Sequence, residues 1–491
     1  SGPMSPGLSM GLAVLLPLLA AVPIGLTGSR PNLRESITLL TALAVFVLVA
    51  GLLPGVLAGD RPQLVVLELL PGLPLKFALE PLGMIFALVA SFLWLVTSIY
   101  AIGYMRGHHE ENQTRFYVCF AIAIASALGV ALAGNMLTLF VAYEVLSVST
   151  YPLVTHAGTD EAKRAGRMYL GILMGTSIGF QLLAILWTWQ ATGSLDFRDG
   201  GILAGSVDGP LAALLLALYV FGIGKAAVMP FHRWLPAAMV APTPESALLH
   251  AVAVVKSGVF AILKVCVYIF GIDFISEQGA ADWLLYFAGG TILLSSLIAM
   301  TRDNLKARLA YSTISQLSYV VAGALLATSL AITGGAMHVA MHAFGKITLF
   351  FCAGAVLVAA HKTEISELDG IGRAMPWTML AFLIGSLSII GLPPAGGTWS
   401  KFYLALGSLD AGQTWMVAVL MISSVLNIAY LLPIPARAFF SKPPPGVEYA
   451  GTNEAPLPCL IAIGVTSLGC LWLFFAPDVL YQLASAITAR P

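Results

Sequence analysis

The chain alternates between long apolar runs and short polar segments along its whole length. About twenty apolar residues cross the hydrocarbon core of a bilayer, and unsatisfied backbone groups require each crossing segment to be helical. The pattern therefore predicts an all-α polytopic membrane protein with about fourteen transmembrane helices. The predicted spans lie near residues 8–27, 36–58, 80–103, 116–133, 135–156, 168–192, 210–235, 243–271, 283–300, 309–328, 331–360, 376–405, 413–440 and 456–486.

The seventh and twelfth predicted spans are broken helices, because each contains glycine and proline residues beside a lysine. Proline removes a backbone donor and clashes with the preceding turn, whereas glycine tolerates the break. In a membrane, unwound backbone is confined to sites that are buried in protein or line wet cavities. The residues concerned are Gly222, Gly224, Pro230 and Pro236 around Lys225, and Gly391, Pro393, Pro394, Gly396 and Gly397 before Lys401.

The two breaks lie five spans apart, which predicts two inverted five-helix repeats, spans 4–8 and 9–13. In span 6, Gly171, Gly175 and Gly179 lie four residues apart and predict a close-packing face. The predicted organisation is residues 1–115 for spans 1–3, 116–271 for the first repeat, 283–440 for the second repeat and 441–491 for span 14.

The composition excludes several other classes of protein. Hydrophobic residues make up 58% of the chain and charged residues 10%, and the mean hydropathy is +0.90, which is typical of a polytopic membrane protein. The formal net charge of zero gives no indication of a nucleic-acid partner. The five cysteines lie far apart without CxxC or Cys/His metal spacing, so we expect no cofactor and no metal.

Basic residues are concentrated in alternate loops, and the loops between them lean acidic. By the positive-inside rule, the odd-numbered loops face the cytoplasm and both termini face the outer side of the membrane. The basic residues of the odd-numbered loops are Arg30, Arg34, Arg106, Lys163, Arg164, Arg167, Arg302, Lys306, Arg308, Lys362, Arg373, Arg437 and Lys442.

Five charged residues stand in the middle of apolar stretches: Glu144, Lys225, Lys256, Lys346 and Lys401. A charge at mid-bilayer costs about 2.5–3.5 kcal/mol on insertion scales. Such residues need partners, water or a proton to lose, and they predict a charge pathway through the membrane. Glu144 needs a cation, and Lys225 of the same predicted repeat is the natural partner. The alternative is a structural carboxylate satisfied by a neighbouring helix.

Histidines accompany two of the lysines. His338, His342 and Lys346 lie at i, i+4 and i+8, roughly on one helix face. This stripe predicts a proton relay, because histidine titrates near neutral pH. The alternative is a zinc site, which the His-x3-His spacing allows but no third ligand accompanies. His250 precedes Lys256 by six residues, and burial makes a lysine suited to carry protons.

Two charged residues near helix ends are interpreted as structural. Lys264 is predicted to extend its ammonium group to the membrane interface. Glu245 stands at a predicted helix start, where a carboxylate suits the helix dipole, and a gating role is the alternative.

Four segments carry a family resemblance: GKAAVMPFHRWLPAAMVAPTPESALLHA, DNLKARLAYSTISQLSYV, HVAMHAFGKITLFFCAGAV and GLPPAGGTWSKFYL. They resemble the antiporter-like subunits of respiratory complex I and of Mrp-type cation/proton antiporters, from about residue 80 to 440. The resemblance implies fourteen helices with inverted five-helix repeats and broken helices 7 and 12. It also implies a proton-translocating subunit that is not itself an enzyme.

The resemblance implies a role for each matching residue. Glu144 would be the glutamate of the fifth helix that pairs with Lys225 of the seventh. Lys256 would be the central lysine, with His250 beside it. The residues that would lead from this centre to the terminal site are His338, His342, Lys346 and Lys401.

Different features of the sequence favour different kinds of complex. Lys401 disfavours members that carry glutamate at this position, and the TPESALLHA stretch favours the large complex I subunit type. Chain length and Lys256 favour a D-type subunit of an Mrp antiporter, in a prokaryotic inner membrane. Complex I-like, membrane-bound hydrogenase and inorganic-carbon-uptake complexes are the alternatives. The implied partners are other membrane subunits, the lipid bilayer and protons. Sodium is a further partner if it passes through this chain, and the alternative is that it crosses the membrane in another subunit.

Two other classes of function are less consistent with the sequence. A membrane scaffold that has lost transport would gain from losing the intramembrane charges, which this chain retains. A redox enzyme would need a cluster, haem or nucleotide motif, and none is present.

Overall fold

The computed structural model describes residues 4–489, most of which are helical. The ends of the predicted first and last regions, residues 1–3 and 490–491, lie outside the described residues. Within residues 4–489, twelve helices are long and apolar enough to cross a membrane. Two shorter apolar helices, Gly209–Gly222 and Pro376–Ile390, belong to spans 7 and 12. The prediction of fourteen spans with two broken helices is confirmed.

We keep the predicted span numbers and use the observed bounds. Spans 1–6 are Pro6–Leu26, Pro31–Leu57, Pro81–Gly107, Gln113–Ala131, Met136–Val154 and Asp160–Thr192. Spans 8–11 are Thr243–Phe270, Asp282–Met300, Leu305–Leu326 and Ser329–Ala360, and spans 13 and 14 are Thr414–Phe440 and Leu457–Phe475. Span 7 is Gly209–Gly222 followed by the short turns Gly224–Ala226, Trp234–Ala237 and Ala238–Val240. Span 12 is Pro376–Ile390 and Gly397–Asp410. Short helices outside the spans are Ile272–Gln278, Ile365–Glu367, Ile371–Arg373 and Asp478–Ala486.

Two helix ends differ from the prediction by eight residues or more. Span 6 begins at Asp160, eight residues before the predicted start, because a capped polar turn precedes its apolar part. The Thr159 side chain accepts a hydrogen bond from the Ala162 amide, and Asp160 and Glu161 occupy the first turn, where carboxylates suit the helix dipole. Span 14 ends at Phe475, and a separate helix follows Pro477.

A β-hairpin between spans 2 and 3 was not predicted. Its strands, Gln63–Leu70 and Leu73–Ala78, pair antiparallel around a tight turn. Gly72 in the turn has φ +79°, which side-chain-bearing residues rarely adopt. The second strand is attached to the start of span 5, because the Lys76 amide donates to Thr138 Oγ1 over 3.0 Å.

The breaks in spans 7 and 12 are stabilised by local contacts. Trp234 Nε1 donates to the Gly224 carbonyl over 3.0 Å, which satisfies an acceptor that the interrupted helix leaves free. In span 12, the first half ends at Gly391, where φ is +91°. Each break contains a cis peptide bond, Met229–Pro230 and Pro393–Pro394.

The predicted close packing of Gly171, Gly175 and Gly179 is wrong within this chain. A Cβ atom at any of the three would meet no described atom within 4 Å. Span 6 packs through its opposite face, which includes Tyr169 and Leu173. Glycines at a four-residue spacing identify a helix face but not what lies against it.

Spans 8, 10 and 11 form the centre of the molecule. Nearly all residues of spans 8 and 10 are buried, whereas spans 1 and 2 expose much of their surface. The polar side chains of the central helices are therefore separated from lipid by protein.

Candidate functional site

The break in span 7 places Lys225 against span 5. Lys225 Nζ donates to the Tyr143 carbonyl over 2.9 Å and to Ser147 Oγ, and it lies 3.4 Å from the centre of the Tyr143 ring. Span 8 approaches the same turn closely, since a Cβ at Gly258 would lie 2.3 Å from the Lys225 carbonyl carbon. The absence of a side chain at Gly258 thus allows this position of Lys225.

Glu144 and Lys225 do not form the predicted ion pair in this structure. Neither carboxylate oxygen of Glu144 has a hydrogen-bond partner among residues 4–489, although Lys225 lies within electrostatic range. The physical reason is that the Lys225 ammonium is already held by the backbone of Tyr143 and the hydroxyl of Ser147. The Glu144 carboxylate and the Lys225 ammonium are thus within electrostatic range but form no hydrogen bond.

Lys256 is in direct contact with span 11. Its Nζ lies 2.5 Å from His342 Nδ1, and both side chains are buried. One of these two nitrogens donates a hydrogen bond to the other, and which one donates depends on their protonation states. His342 Nε2 has no partner among the described residues, so the second ring nitrogen is available for a further transfer.

His338 connects the central helices to span 12. Its Nδ1 lies 2.8 Å from Ser400 Oγ and its Nε2 lies 2.9 Å from Gln316 Oε1. The His338 ring also stacks on Tyr319, with centroids 5.5 Å apart, and lies 5.7 Å from the His342 ring.

Lys401 lies beside the break in span 12. Its Nζ donates to the Ile390 carbonyl over 2.7 Å and to Ser424 Oγ over 3.1 Å, and it lies 4.9 Å from the centre of the Tyr319 ring. Lys401 and His338 therefore both lie against the Tyr319 ring. Lys225 and Lys401 correspond in one respect, since each lies at a break and donates to a backbone carbonyl.

Lys346 and His250 lie on a second side of the central cluster. Lys346 Nζ donates to Ser312 Oγ over 2.6 Å. His250 Nδ1 lies 2.8 Å from Thr313 Oγ1, and its ring stacks on Phe350 with centroids 4.3 Å apart. These two residues thus meet span 10 at neighbouring positions.

Span 10 supplies a stripe of neutral polar groups that were not predicted as site residues. Ser312, Thr313, Gln316 and Tyr319 contact, respectively, Lys346, His250, His338 and both His338 and Lys401. Their i, i+1, i+4 and i+7 spacing is compatible with one helix face. The polar run in YSTISQLSY was the available signal.

Lys264 forms an ion pair with Glu80 at the start of span 3. Its side chain is 1% exposed and Nζ lies 2.9 Å from Glu80 Oε1. Tyr268 donates to the other oxygen over 2.9 Å, and Glu80 also caps span 3 by accepting from the Gly83 amide. The ion pair was not predicted, because Glu80 stands 184 positions earlier in the chain.

A second polar cluster lies outside the spans, on the side of the basic loops. Glu110 Oε1 lies 2.9 Å from His108 Nδ1, and Oε2 lies 3.5 Å from His156 Nε2. Burial raises the pKa of Glu110, but the contacts with His156 and His108 outweigh burial and hold its pKa below the usual range.

The four central lysines share one chemical property. Within residues 4–489, none of Lys225, Lys256, Lys346 and Lys401 lies within 4.0 Å of a carboxylate. Their nearest partners are carbonyls, hydroxyls and an imidazole. A buried charge without a counter-charge is costly, and losing a proton removes that cost. In the same described residues, no group of three His, Cys, Asp or Glu residues could hold a metal ion.

Two family models match the chain. The model described as NADH:quinone oxidoreductase/Mrp antiporter, TM, matches residues 133–427. The model for the N-terminus of chain 5 of NADH-ubiquinone oxidoreductase (complex I) matches residues 72–117.

Curated relatives come from several kinds of complex. The N subunit of an NADH-quinone oxidoreductase from Desulforudis audaxviator is 33% identical over 91% of this chain and 89% of its own length. The A/B subunit of a probable K(+)/H(+) antiporter from Rhizobium meliloti is 30% identical over 82% of this chain. The chain spans 40% of the length of that second relative.

Solved structures share the fold at low identity. A chain of the Mrp complex from Dietzia superposes with a TM-score of 0.87 at 22% identity, over 98% of this chain and 97% of that chain. A chain of an archaeal membrane-bound sulfane sulfur reductase superposes with a TM-score of 0.86 at 22% identity, with the same coverage.

Proposed function

Because the chain belongs to the NADH:quinone oxidoreductase/Mrp antiporter transmembrane family, we propose that it is the proton-translocating subunit of a multi-subunit antiporter that exchanges Na⁺ for H⁺. One observation carries the proposal, namely the row of protonatable groups buried in the centre of the fold. The row runs from Lys401 past Tyr319 to His338, then to His342 and Lys256.

Protons move along this row by alternating charge. A proton on Lys256 disfavours a second proton on His342, because like charges at such short range favour neutralising one member. When Lys256 is protonated, a proton on His342 therefore moves to His338, whose ring lies 5.7 Å from that of His342. The final acceptor is Lys401, which lies 4.9 Å from the centre of the Tyr319 ring on which His338 stacks.

Glu144 and Lys225 act as the gate at the other end of the row. When Lys225 donates to Tyr143 and Ser147, Glu144 has no partner. When Lys225 turns to Glu144, the two groups form a buried ion pair. Span 8, which carries Lys256, packs directly on the turn that carries Lys225, since a Cβ at Gly258 would lie 2.3 Å from the Lys225 carbonyl carbon.

The partners of the chain are other membrane subunits. The similar chains of known structure belong to multi-subunit membrane complexes. The oxidoreductase names among the relatives describe whole complexes, so we assign this chain translocation rather than redox catalysis.

A second candidate function is proton pumping in a complex I-type assembly. It is favoured by the 33% identity to the N subunit of an NADH-quinone oxidoreductase, which extends over 91% of this chain. Purification from the native membrane separates the two candidates, because small hydrophobic Mrp-type subunits and a quinone-reducing arm are distinct companions.

The test of the proposed function uses the intact complex in sealed vesicles with an imposed Na⁺ gradient. Lys256→Ala should abolish Na⁺-driven movement of protons, measured with an internal pH dye, while the set of assembled subunits stays normal. Lys256→Arg should also fail, because arginine keeps its proton. Lys442→Ala, at an exposed residue, is the matched control. Normal exchange in both Lys256 variants would refute the proposal.

A further inference from the structure

Glu245 is a buried carboxyl group that the pathway described above does not use. It lies in the first turn of span 8 and is fully buried. Neither of its carboxylate oxygens has a hydrogen-bond partner among residues 4–489. Structural carboxylates in protein interiors are paired or hydrogen-bonded. A purely structural role therefore does not account for Glu245.

Lys306 is the charged neighbour of Glu245. It begins span 10, lies within electrostatic range of Glu245 and donates from Nζ to the Ala241 carbonyl over 2.7 Å. Its side chain is partly exposed on the side of the basic loops. The other titratable groups that face Glu245 are Cys119 of span 4 and Tyr169 of span 6, which are neutral at pH 7 in their ordinary state.

Span 8 carries Glu245, His250 and Lys256, and Lys256 belongs to the central row of protonatable groups. His250 lies about one helical turn deeper into the membrane than Glu245, in the π-helical segment Leu248–Val252. Lys306, Lys346 and Lys256 all lie within electrostatic range of His250. Between the two residues, the hydroxyl of Ser246 also has no partner among the described residues.

We propose that Glu245 is a proton-loading site that, together with Lys306, connects the membrane face of the basic loops to His250. The inference rests on the proposed function. The Glu245 carboxylate takes a proton from water beside Lys306 and becomes a neutral acid. It then gives that proton to an imidazole nitrogen of His250, and the carboxylate is restored. Lys306 attracts no proton itself in this step but stabilises the carboxylate between two transfers.

The experiment compares Glu245→Gln with Glu161→Gln in the intact complex reconstituted into vesicles. Glu161 is an exposed carboxylate in the first turn of span 6, on the same side of the membrane. We expect Glu245→Gln to lower the initial rate of Na⁺-driven proton movement at least tenfold and Glu161→Gln to leave it unchanged. Lys306→Met, which keeps the buried carboxyl, should also lower the rate.

Infrared difference spectra provide a readout that a structural role would not change. Spectra of the same complexes, recorded between alkaline and acidic buffer, should contain a carboxylic-acid C=O band that Glu245→Gln removes and Glu161→Gln retains. If Glu245→Gln fails to assemble, the inference is tested by the transport rate of Lys306→Met and by the pH dependence of the wild-type C=O band. A band that responds to Na⁺ instead of pH would overturn the inference in favour of a sodium site.

The outcomes separate this inference from the proposed function. If Lys256→Ala abolishes transport while Glu245→Gln and Lys306→Met transport normally, the loading site is refuted and the proposed function stands. If Lys256→Ala transports normally, the proposed function fails whatever Glu245 does. Loss of transport in all three variants, with the infrared band assigned to Glu245, supports both.

Discussion

Gly258 is the position where a single methyl group should have the largest effect on the gate. A Cβ built there would lie 2.3 Å from both the Ala226 amide nitrogen and the Lys225 carbonyl carbon. Ordinary van der Waals contact of a carbon atom begins near 3.5 Å, so the broken turn has to move by about 1 Å. Overpacking of this kind typically costs about 1–3 kcal/mol.

The consequence for transport is larger than the consequence for stability. A shift of about 1 Å in a reacting group can reduce a rate by about 100-fold, and Lys225 would shift with its backbone. We therefore expect Gly258→Ala to reduce Na⁺-driven proton movement by one to two orders of magnitude, with a modest loss of thermal stability. Both are measured on the purified complex, by pH-dye uptake in vesicles and by thermal unfolding.

The matched control is Gly464→Ala in span 14. A Cβ at Gly464 would meet no described atom within 4 Å, and alanine is favoured over glycine in a helix by about 1 kcal/mol. The control should transport normally and be at least as stable as the wild type. Wild-type transport in Gly258→Ala would refute the argument that the close contact between spans 7 and 8 positions Lys225.

Three further predictions address other contacts. Gln316→Leu removes the acceptor for His338 and should slow proton movement about tenfold without loss of assembly; unchanged rates would show that this contact is dispensable. Lys264→Met leaves Glu80 buried without its cation and should destabilise the chain by about 3–5 kcal/mol, as measured by thermal unfolding, whereas a double variant that also replaces Glu80 should recover part of that loss. The lowered pKa of Glu110 means that its contribution to stability is present above the ordinary carboxyl range and is lost as the pH falls through its folded-state pKa. Glu110→Gln should therefore flatten the stability curve on the acid side of pH 4.5, and an unchanged curve would contradict this assignment.

Much of the fold follows from the sequence because lipid leaves few alternatives. Apolar runs have to be helices, and this constraint predicts the fourteen spans. Glycine and proline at Gly224, Pro230, Gly391 and Pro394 predict both breaks, since a helix cannot pass them unaltered. The hairpin at Gln63–Ala78 was not predicted, because its apolar runs are too short for a span and, among residues 4–489, the two strands form a sheet without further strands.

The site was predictable only where it depends on charge. Lysines inside apolar runs are rare and easily recognised in the sequence, whereas serine and threonine are common in membrane helices. Ser312 and Thr313 are recognised as site residues only by their contacts with Lys346 and His250. The absence of the ion pair between Glu144 and Lys225 could not be predicted, because it depends on the rotamer of one lysine. The pairing of Lys264 with Glu80 depends on tertiary contact between distant parts of the chain.

The contact of Lys346 with Ser312 has a further consequence for hydrogen-bond polarity. Ser312 Oγ also lies 2.9 Å from the Tyr430 hydroxyl, which in turn contacts Asn427 Oδ1. While Lys346 is protonated it donates, so Ser312 can donate onward to Tyr430 and Tyr430 to Asn427. Once Lys346 is neutral its lone pair accepts from Ser312, so Tyr430 donates to Ser312 instead and Asn427 Oδ1 loses its donor. The protonation state of Lys346 therefore sets the direction of these hydrogen bonds. The change reaches Asn427 in span 13 without movement of any helix.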